Sequence, residues 1–566
     1  MQRPLELKIV GPMDMVVTKA SGVVSASVSD GILFLEHVRK ASKHKSRGYA
    51  FNVTYTAQTP TQDMLPAAIF LNGARCQVML DNNLNTPIKM TGTSAQNLEP
   101  ASNPDALDAA SGGRRKALQT GGRIQAIDGQ LYGVDGLPLT INGINWFGFE
   151  TLAIVAGLWT QPQISNDFQY VAWRIKLLGF NTIRLPFSFQ TILNMEIDSV
   201  LFPYCTPSTY SDVLASVTPP NITLRADAVL SPMPEDSGYS RFLYFIRYLA
   251  RNEFYIIIDD HLAVDTTVID DPDLWVDLWT QLLTDVVSDP VSAQHVMVDI
   301  LNEPDAKAIG WEGPVRNMTD LYVRAMDAMY QVSPTTLFLV EGCGQLGVAM
   351  CWGDGFITDH NIIAQTGISD PNPFFQTLLG KPYLDNVVIS PHYYPPSVSG
   401  GKGQNTGSAL WTRMTDSWGY FTGEGYGGHL FPVIIGETGT MYHTDADIAF
   451  MADMGAYMRN EGAAADGRHS RMQNLCWWSW NPNSWDTGGI MMDDWLTVNW
   501  DKIDYMTWAI GLRPWCRAIL SVAKLFNDMY LALSQISGLQ SVAPQLLQYQ
   551  QAMVQSLNTA SGCGSA

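Results

Sequence analysis

Runs of apolar, β-branched residues return along the chain from residue 139 onward at intervals of roughly 40 to 70 residues, each followed by amphipathic, helix-like sequence. The runs are Leu139–Trp146, Asn181–Ser188, Phe254–His261, His295–Leu301, Leu337–Gly342, Asn386–Tyr394, Phe431–Gly436 and Asn474–Trp480. Eight strand-and-helix units predict an α/β architecture, a closed parallel (β/α)8 TIM barrel. Phe254–Ile258 and Pro432–Ile435 are continuously hydrophobic, as parallel strands buried on both faces require. A doubly wound open sheet would place a Gly-rich phosphate turn after the first strand, and none is present.

Ahead of the barrel the pattern changes. Tyr49–Thr56 and Ala67–Leu80 alternate as short strands do, and the basic cluster Arg39–Arg47 reads as a solvated loop. From Thr93 to Gln119 the chain is polar and small and carries Arg114-Arg115-Lys116, the marks of an exposed linker or processing site. Beyond the barrel, Pro514–Leu557 is helix-like with Gln punctuation. The expected division is residues 1–118 as a smaller β-rich accessory region and linker, 119–515 as the barrel and 516–566 as a helical C-terminal extension. The first region carries no readable site. An accessory carbohydrate-binding domain, a pro-region and a stabilising cap all remain open for it.

Composition narrows the partners. The chain has 566 residues, only 16% of them charged, and 17 Trp, a balance that excludes disorder and places aromatic faces where flat apolar rings can stack. A formal charge of −20 excludes nucleic acid and anionic membrane surfaces but is indifferent to a neutral polysaccharide. No apolar run approaches the roughly 18 to 20 residues that span a bilayer. Met1–Val17 shows no signal peptide, because Arg3 and Lys8 are not followed by a continuous apolar segment. Seven cysteines without any Cys-x-x-Cys give neither a disulfide scaffold nor zinc spacing, although Cys343 and Cys351 are near enough to pair in an oxidising compartment. Sequons at Asn52, Asn221 and Asn317 add little.

In such a barrel the site lies at the C-terminal ends of the strands. The second run ends Arg184-Leu185-Pro186, the third Asp259-Asp260-His261 and the fourth Asn302-Glu303-Pro304. The sixth ends His392-Tyr393-Tyr394, the seventh Gly436-Glu437 and the eighth Trp477-Trp478-Ser479-Trp480. One terminal carboxylate is commonly a helix cap. Glutamates on the fourth and seventh strands face each other across the barrel mouth, which suits cleavage of a glycosidic bond, with retention when the separation is near roughly 5 Å. Two carboxylates that close repel by roughly 3 kcal/mol at an effective dielectric of about 20, enough to push one pKa up by about two. The ionised, nucleophilic role is expected of Glu437, with Arg184 and Tyr394 donating to it. The acid/base role is expected of Glu303, with Asn302 beside it for the sugar 2-hydroxyl.

These motifs together resemble glycoside hydrolase family 5, the cellulase family of clan A. The resemblance runs from about residue 130 to 505. Ile141–Gly148 is similar to the family's first strand, Gly179–Pro186 to its arginine strand and Asn302-Glu303-Pro304 to its acid/base signature. His392-x-Tyr394 and Gly436–Gly439 resemble its substrate pair and nucleophile. Trp478–Ser484 followed by Asp486–Gly489 looks like its bacterial endo-β-1,4-glucanases. The resemblance implies a secreted hydrolase of β-linked polysaccharide, with His261 and His392 as subsite donors and Trp478 as the platform under the cleaved sugar. Trp159 and Trp352 would be flanking aromatic subsites. Trp275 and Trp279, by contrast, sit in a helix-like stretch and read as core. Mannan, β-1,3-glucan and other β-glycans stay open as substrates, and the long insertion Asn194–Asp236 alters the cleft rim.

Two other readings compete with this one. Asp259, Asp260 and His261 would make a metal cluster, but Asp259 is expected to alternate away from the site and no second histidine pair is adjacent. No metal and no cofactor are therefore expected. A catalytically inert polysaccharide-binding protein would need the tryptophans but not both glutamates. The chain is expected to act as a monomer or weak homo-oligomer.

Overall fold

The computed structural model describes seven short strands between residues 6 and 76, and then residues 122–514 apart from 152–167, 195–236, 262–264, 314, 344–352, 400–405 and 494–496. Trp159, Trp352, Cys351, the insertion after Asn194 and the C-terminal extension, save residues 544 and 548, lie outside the described residues. The chain forms two compact units, Met1–Arg115 and Lys116–Ala566. In the first, β1 (Glu6–Val10), β3 (Ser25–Ser29), β4 (Ile32–Glu36), β6 (Ala68–Leu71) and β7 (Ala74–Cys76) form an antiparallel sheet in the order β3-β4-β1-β6-β7. A separate pair joins β2 (Val16–Ser21) to β5 (Asn52–Thr56).

The second unit opens with an antiparallel hairpin, β8 (Gln125–Ile127) and β9 (Gln130–Tyr132), and continues into the barrel. The barrel strands are β10 (Asn142–Asn145), β11 (Thr182–Phe187), β12 (Tyr255–Asp260), β13 (Val296–Asp299), β14 (Leu337–Val340), β15 (Val387–Ile389), β16 (Ile435–Thr438) and β17 (Leu475–Trp477). Seven fall within one of the apolar runs, and β16 overlaps its run, Phe431–Gly436, and continues two residues beyond it. They pair in parallel in the order β15-β14-β13-β12-β11-β10-β17-β16. Parallel bridges Ile389 to Val433 and His392 to Glu437 then join β15 to β16 and close the cylinder.

Side chains alternate strictly about the barrel wall. Ile144, Ile183, Leu185, Ile256, Ile258, Val298, Phe338, Val340 and Ile389 face outward into the layer shared with the helices. Ile141, Tyr255, Ile257, Met297, Leu337, Leu339, Val388, Ile434 and Cys476 fill the interior, which Ile124 and Leu131 of the hairpin plug from below. Each such Ile or Leu, fully buried, contributes about 1.5–3 kcal/mol relative to exposure. Space inside is tight. At Gly143 an added Cβ would lie 2.3 Å from Cys476 Sγ, so only glycine fits there.

Local signals start the helices where the polypeptide leaves the wall. Ser237 caps Gly238–Arg251 by accepting from Ser240 N, and Asp271 with Pro272 starts Pro272–Val287. Asn317 and Thr444 cap Met318–Val332 and Asp445–Met458 in the same way. Trp275 and Trp279 are buried on Pro272–Val287, as their helix-like context implied.

Phase corrects one expectation. Because Tyr255 and Ile257 point inward, so does Asp259, and it is Asp260 that turns outward to accept a 2.7 Å hydrogen bond from Trp275 Nε1. Asp259 therefore belongs to the site. Cys343 is a buried free thiol, and Cys351, near enough in sequence to pair with it, lies outside the described residues.

Candidate active site

Above the apolar floor of the barrel the inward positions become polar. Arg184, on β11, sits at their centre, fully buried and ringed by four carboxylates: Glu437 at 2.5 Å, Asp299 at 2.9 Å, Asp259 at 3.1 Å and Glu341 at 3.3 Å. It also donates to Asn145 Oδ1 at 3.1 Å and Asn302 Oδ1 at 2.9 Å. The guanidinium's planar fork suits this many acceptors, and losing it would leave several buried anions facing one another.

Glu437 is the next-to-last residue of β16 and is almost wholly buried. Its Oε1 accepts from Arg184 and its Oε2 from the Tyr394 hydroxyl at 2.7 Å. Burial alone would raise its pKa, but His392, then Arg184 and His261, outweigh burial and hold the carboxyl below its ordinary value. It is held as an anion.

Glu303 follows β13 through Leu301 and Asn302 and keeps 22% of its side chain exposed, so water reaches it. Its φ of 40° is left-handed, unusual for a side chain of this size, and its N–H donates to Glu341 Oε2 at 2.8 Å. His392 Nδ1 lies 3.0 Å from Glu303 Oε1 and 3.5 Å from Glu437 Oε2. One oxygen of each carboxylate and that histidine nitrogen fall within 4.8 Å of one another. His392 is buried. Desolvation would lower its pKa, but Glu341 and Glu437 beside it hold the imidazolium well above its usual range.

His261 Nδ1 meets Asp259 Oδ2 at 2.8 Å. Burial lowers the imidazole pKa, yet the charge of Asp259 and its hydrogen bond carry it up to about 9. The ring stacks on Trp478, centroids 5.5 Å apart, and Trp478 stacks on Phe147 at 5.4 Å. Trp478 precedes a cis peptide to Ser479, and its Nε1 donates to Ser484 Oγ at 3.1 Å. Asn302 spends its oxygen on Arg184, which leaves its amide nitrogen as the donor.

Arg184, His261, Asn302, Glu303, His392, Tyr394, Glu437 and Trp478, drawn from six different strand ends, thus converge on one cleft. Several members were not read from the sequence. Glu341 follows β14 and is fully buried, with its pKa raised to about 8 by burial against the pull of His392. Asp299 ends β13, raised to about 6 by burial against the pull of Arg184. Glu150, buried beyond β10, accepts from Gly148 N at 2.8 Å and is raised to about 7 by burial. The first two were legible from alternation, since Leu337, Leu339 and Glu341 share a face, as do Met297 and Asp299.

Two triplets, Asp259 with His261 and Glu437, and Glu303 with His392 and Glu437, bring ligand-type atoms within 4.8 Å. Their atoms are already engaged with one another, and the Arg184 cation occupies the neighbouring space. A metal ion would have to sit against that charge, so both triplets fit an ion-pair network better than a ligand sphere.

The cellulase family, glycosyl hydrolase family 5, matches residues 137–484, more than half of the chain and the whole of this cleft. The chain belongs to that family. It is a glycoside hydrolase of cellulase type. It is 27% identical to an endoglucanase of Paenibacillus polymyxa over 393 residues, 66% of this chain and 83% of that protein. It is 26% identical over 395 residues to the major extracellular endoglucanase of Xanthomonas campestris pv. campestris, 66% of this chain and 68% of the other. The hyperthermophilic endocellulase of Pyrococcus horikoshii is similar in structure at a TM-score of 0.48 and 22% identity, over 69% of this chain and 99% of that one. Among the described residues no helix of this family 5 enzyme is long and apolar enough to cross a membrane.

Proposed function

We propose that this enzyme is a retaining endo-β-1,4-glucanase acting outside the cell, with Glu437 as nucleophile and Glu303 as acid/base. One observation carries the reading: the two carboxylates approach within 4.8 Å and share His392 Nδ1. Inverting enzymes hold their carboxyl groups about 6.5–9.5 Å apart to admit a water, and retaining ones about 5–5.5 Å. The extracellular and endoglucanase assignments draw support from the named relatives.

The chemistry follows from the neighbours. Glu437, kept anionic, attacks the anomeric carbon while Glu303 gives its proton to the glycosidic oxygen, so the C–O bond breaks and a covalent glycosyl ester forms with inverted configuration. Glu303, now a carboxylate, takes a proton from water, whose oxygen attacks the same carbon and releases Glu437 with the β-configuration restored. Tyr394 and Arg184 hold the nucleophile through both steps, and Asn302 donates toward the 2-hydroxyl as charge develops. Trp478 supplies the apolar face under the sugar ring.

The test is hydrolysis of a panel of soluble β-glucans and mannans with anomers followed by proton NMR. The β-anomer of a β-1,4-glucan fragment should form first, and Glu437→Gln should lose about three or more orders of magnitude in kcat. First release of the α-anomer, or a Glu437→Gln variant with ordinary turnover, would overturn the assignment.

A further inference from the structure

Outside the cleft, a groove of about 380 Å3 runs between the helices Asp445–Met458 and Trp500–Ile510, lined by Tyr442, Ile448, Asp501, Asp504, Tyr505 and Trp508. Three rings form its wall, Tyr442 to Tyr505 at 6.2 Å between centroids and Tyr505 to Trp508 at 6.2 Å. Asp501, Asp504, Tyr505 and Trp508 recur at helical spacing on one face of Trp500–Ile510, so carboxylates and rings are presented together.

Core packing accounts for Tyr505 and in part for Tyr442, but not for the outer part of this wall. Trp508 is 40% exposed and Ile448 39%, although apolar surface of that size is costly to leave in water. Trp508 is nonetheless pinned. Gly455 lets the indole lie directly on the helix, since a Cβ there would come within 2.1 Å of Trp508 Cζ3. The Arg459 guanidinium stands 5.4 Å from the ring and donates to Trp508 O, while its other nitrogens grip Glu461. A ring already fixed has little rotamer freedom left to lose on binding.

Two further observations point to a ligand. Tyr505 is 4% exposed, and its hydroxyl, on a residue that lines the groove, is buried with no hydrogen-bond partner among the described residues. Tyr442 holds a left-handed φ of 63°, an outlier for a bulky residue, tied by its N–H to Thr440 Oγ1 at 3.0 Å. It stands on the segment that leaves β16 just past Glu437, so the groove opens at the rim of the catalytic face.

We propose that this groove binds a strand of neutral β-linked glucan outside the catalytic cleft, a reading that rests on the glucanase assignment. The apolar C–H face of a glucose ring stacks on an indole or phenol ring, its hydroxyls donate to carboxylates, and one of them supplies the partner that Tyr505 lacks. The two aspartates disfavour an acidic polysaccharide. A second contact beside the cleft would keep a long chain near the catalytic glutamates and would be irrelevant to a short one.

The experiment uses the full chain and two probes, cellotetraose and hydroxyethylcellulose. In the Glu437→Gln background calorimetry should find a second, weaker cellotetraose site that Trp508→Ala removes. In affinity gels containing hydroxyethylcellulose, Trp508→Ala on the active enzyme should bind about fivefold or more weakly, with kcat/KM on cellotetraose within about twofold of the parent. Tyr505→Phe removes only the orphan hydroxyl, so it should weaken the second site without lowering the melting temperature. A single cellotetraose site in Glu437→Gln, or retardation of Trp508→Ala equal to the parent, would overturn the groove proposal. Failure of the parent enzyme to hydrolyse cellotetraose would instead strike the glucanase reading.

Discussion

Replacing Glu341 by alanine removes the one carboxylate that touches Arg184, His392 and the backbone of Glu303 together. Arg184 keeps its other acceptors, but the Glu303 N–H and the Nε2 side of His392 lose theirs. At about 1–3 kcal/mol for each buried group left unsatisfied, the loss is about 2–6 kcal/mol. Against a total of about 5–15 kcal/mol that is a large fraction. Glu303 also loses the anchor of its left-handed backbone, so kcat should fall by about 100-fold or more, the scale of a displaced general acid.

Glutamine at the same place should behave differently. Burial raises the Glu341 pKa to about 8 and so favours its neutral form, whose shape glutamine copies. The sign is fixed by linkage. A carboxyl raised from about 4.3 in the unfolded chain to about 8 in the folded one contributes stability that is present below about pH 4.3 and lost as pH rises through about 8. Glutamine cannot ionise, so Glu341→Gln should gain on the parent as pH rises. Calorimetric melting at pH 5, 7 and 9, with initial rates on a soluble β-glucan, reads both effects. An alanine variant that melts with the parent, or a glutamine variant whose difference from it is the same at all three pH values, would refute the reasoning.

Asp259→Asn should lower the pKa of His261 from about 9, because it removes the largest charge opposing burial and leaves only Glu437 and Glu150; an NMR titration midpoint that stays near 9 would contradict this. Tyr394→Phe removes a 2.7 Å bond to an ionised oxygen, a contact of about 1.5–3 kcal/mol, so kcat/KM should fall by about 10- to 100-fold. Its acidic limb should also move to higher pH, since Glu437 is ionised only above its depressed pKa and loses one of its stabilising donors; an unmoved limb would contradict that.

The strands were legible because burial on both faces leaves apolar runs that helices do not imitate at that length, and the cleft because polar residues terminate those runs. The same double burial hid the phase. In Tyr255-Ile256-Ile257-Ile258 every position is apolar, so nothing marks which pair faces inward, and the adjacent Asp259 and Asp260 offer no contrast either. Position settles what composition does not: Asp259 meets Arg184 and Asp260 meets Trp275. Glu341 was passed over because the end of its strand shows no resemblance motif, and Asp299 because the Asn302-Glu303-Pro304 motif just beyond it carried the reading of that strand. Glu150 required the fold, because only the third dimension sets it near His261.

The cylinder is zipped shut at a place where chemistry also occurs. Across the seam between β15 and β16, Gly436 N donates to Pro391 O at 3.0 Å and Tyr393 N to Glu437 O at 2.9 Å, beside the bridge from His392 to Glu437. The backbone that completes the wall is thus the backbone that aims the reactive carboxylate. On the proposed mechanism, a loosening that unseals this join should displace Glu437 and lower turnover, so activity would double as a gauge of whether the ring is whole.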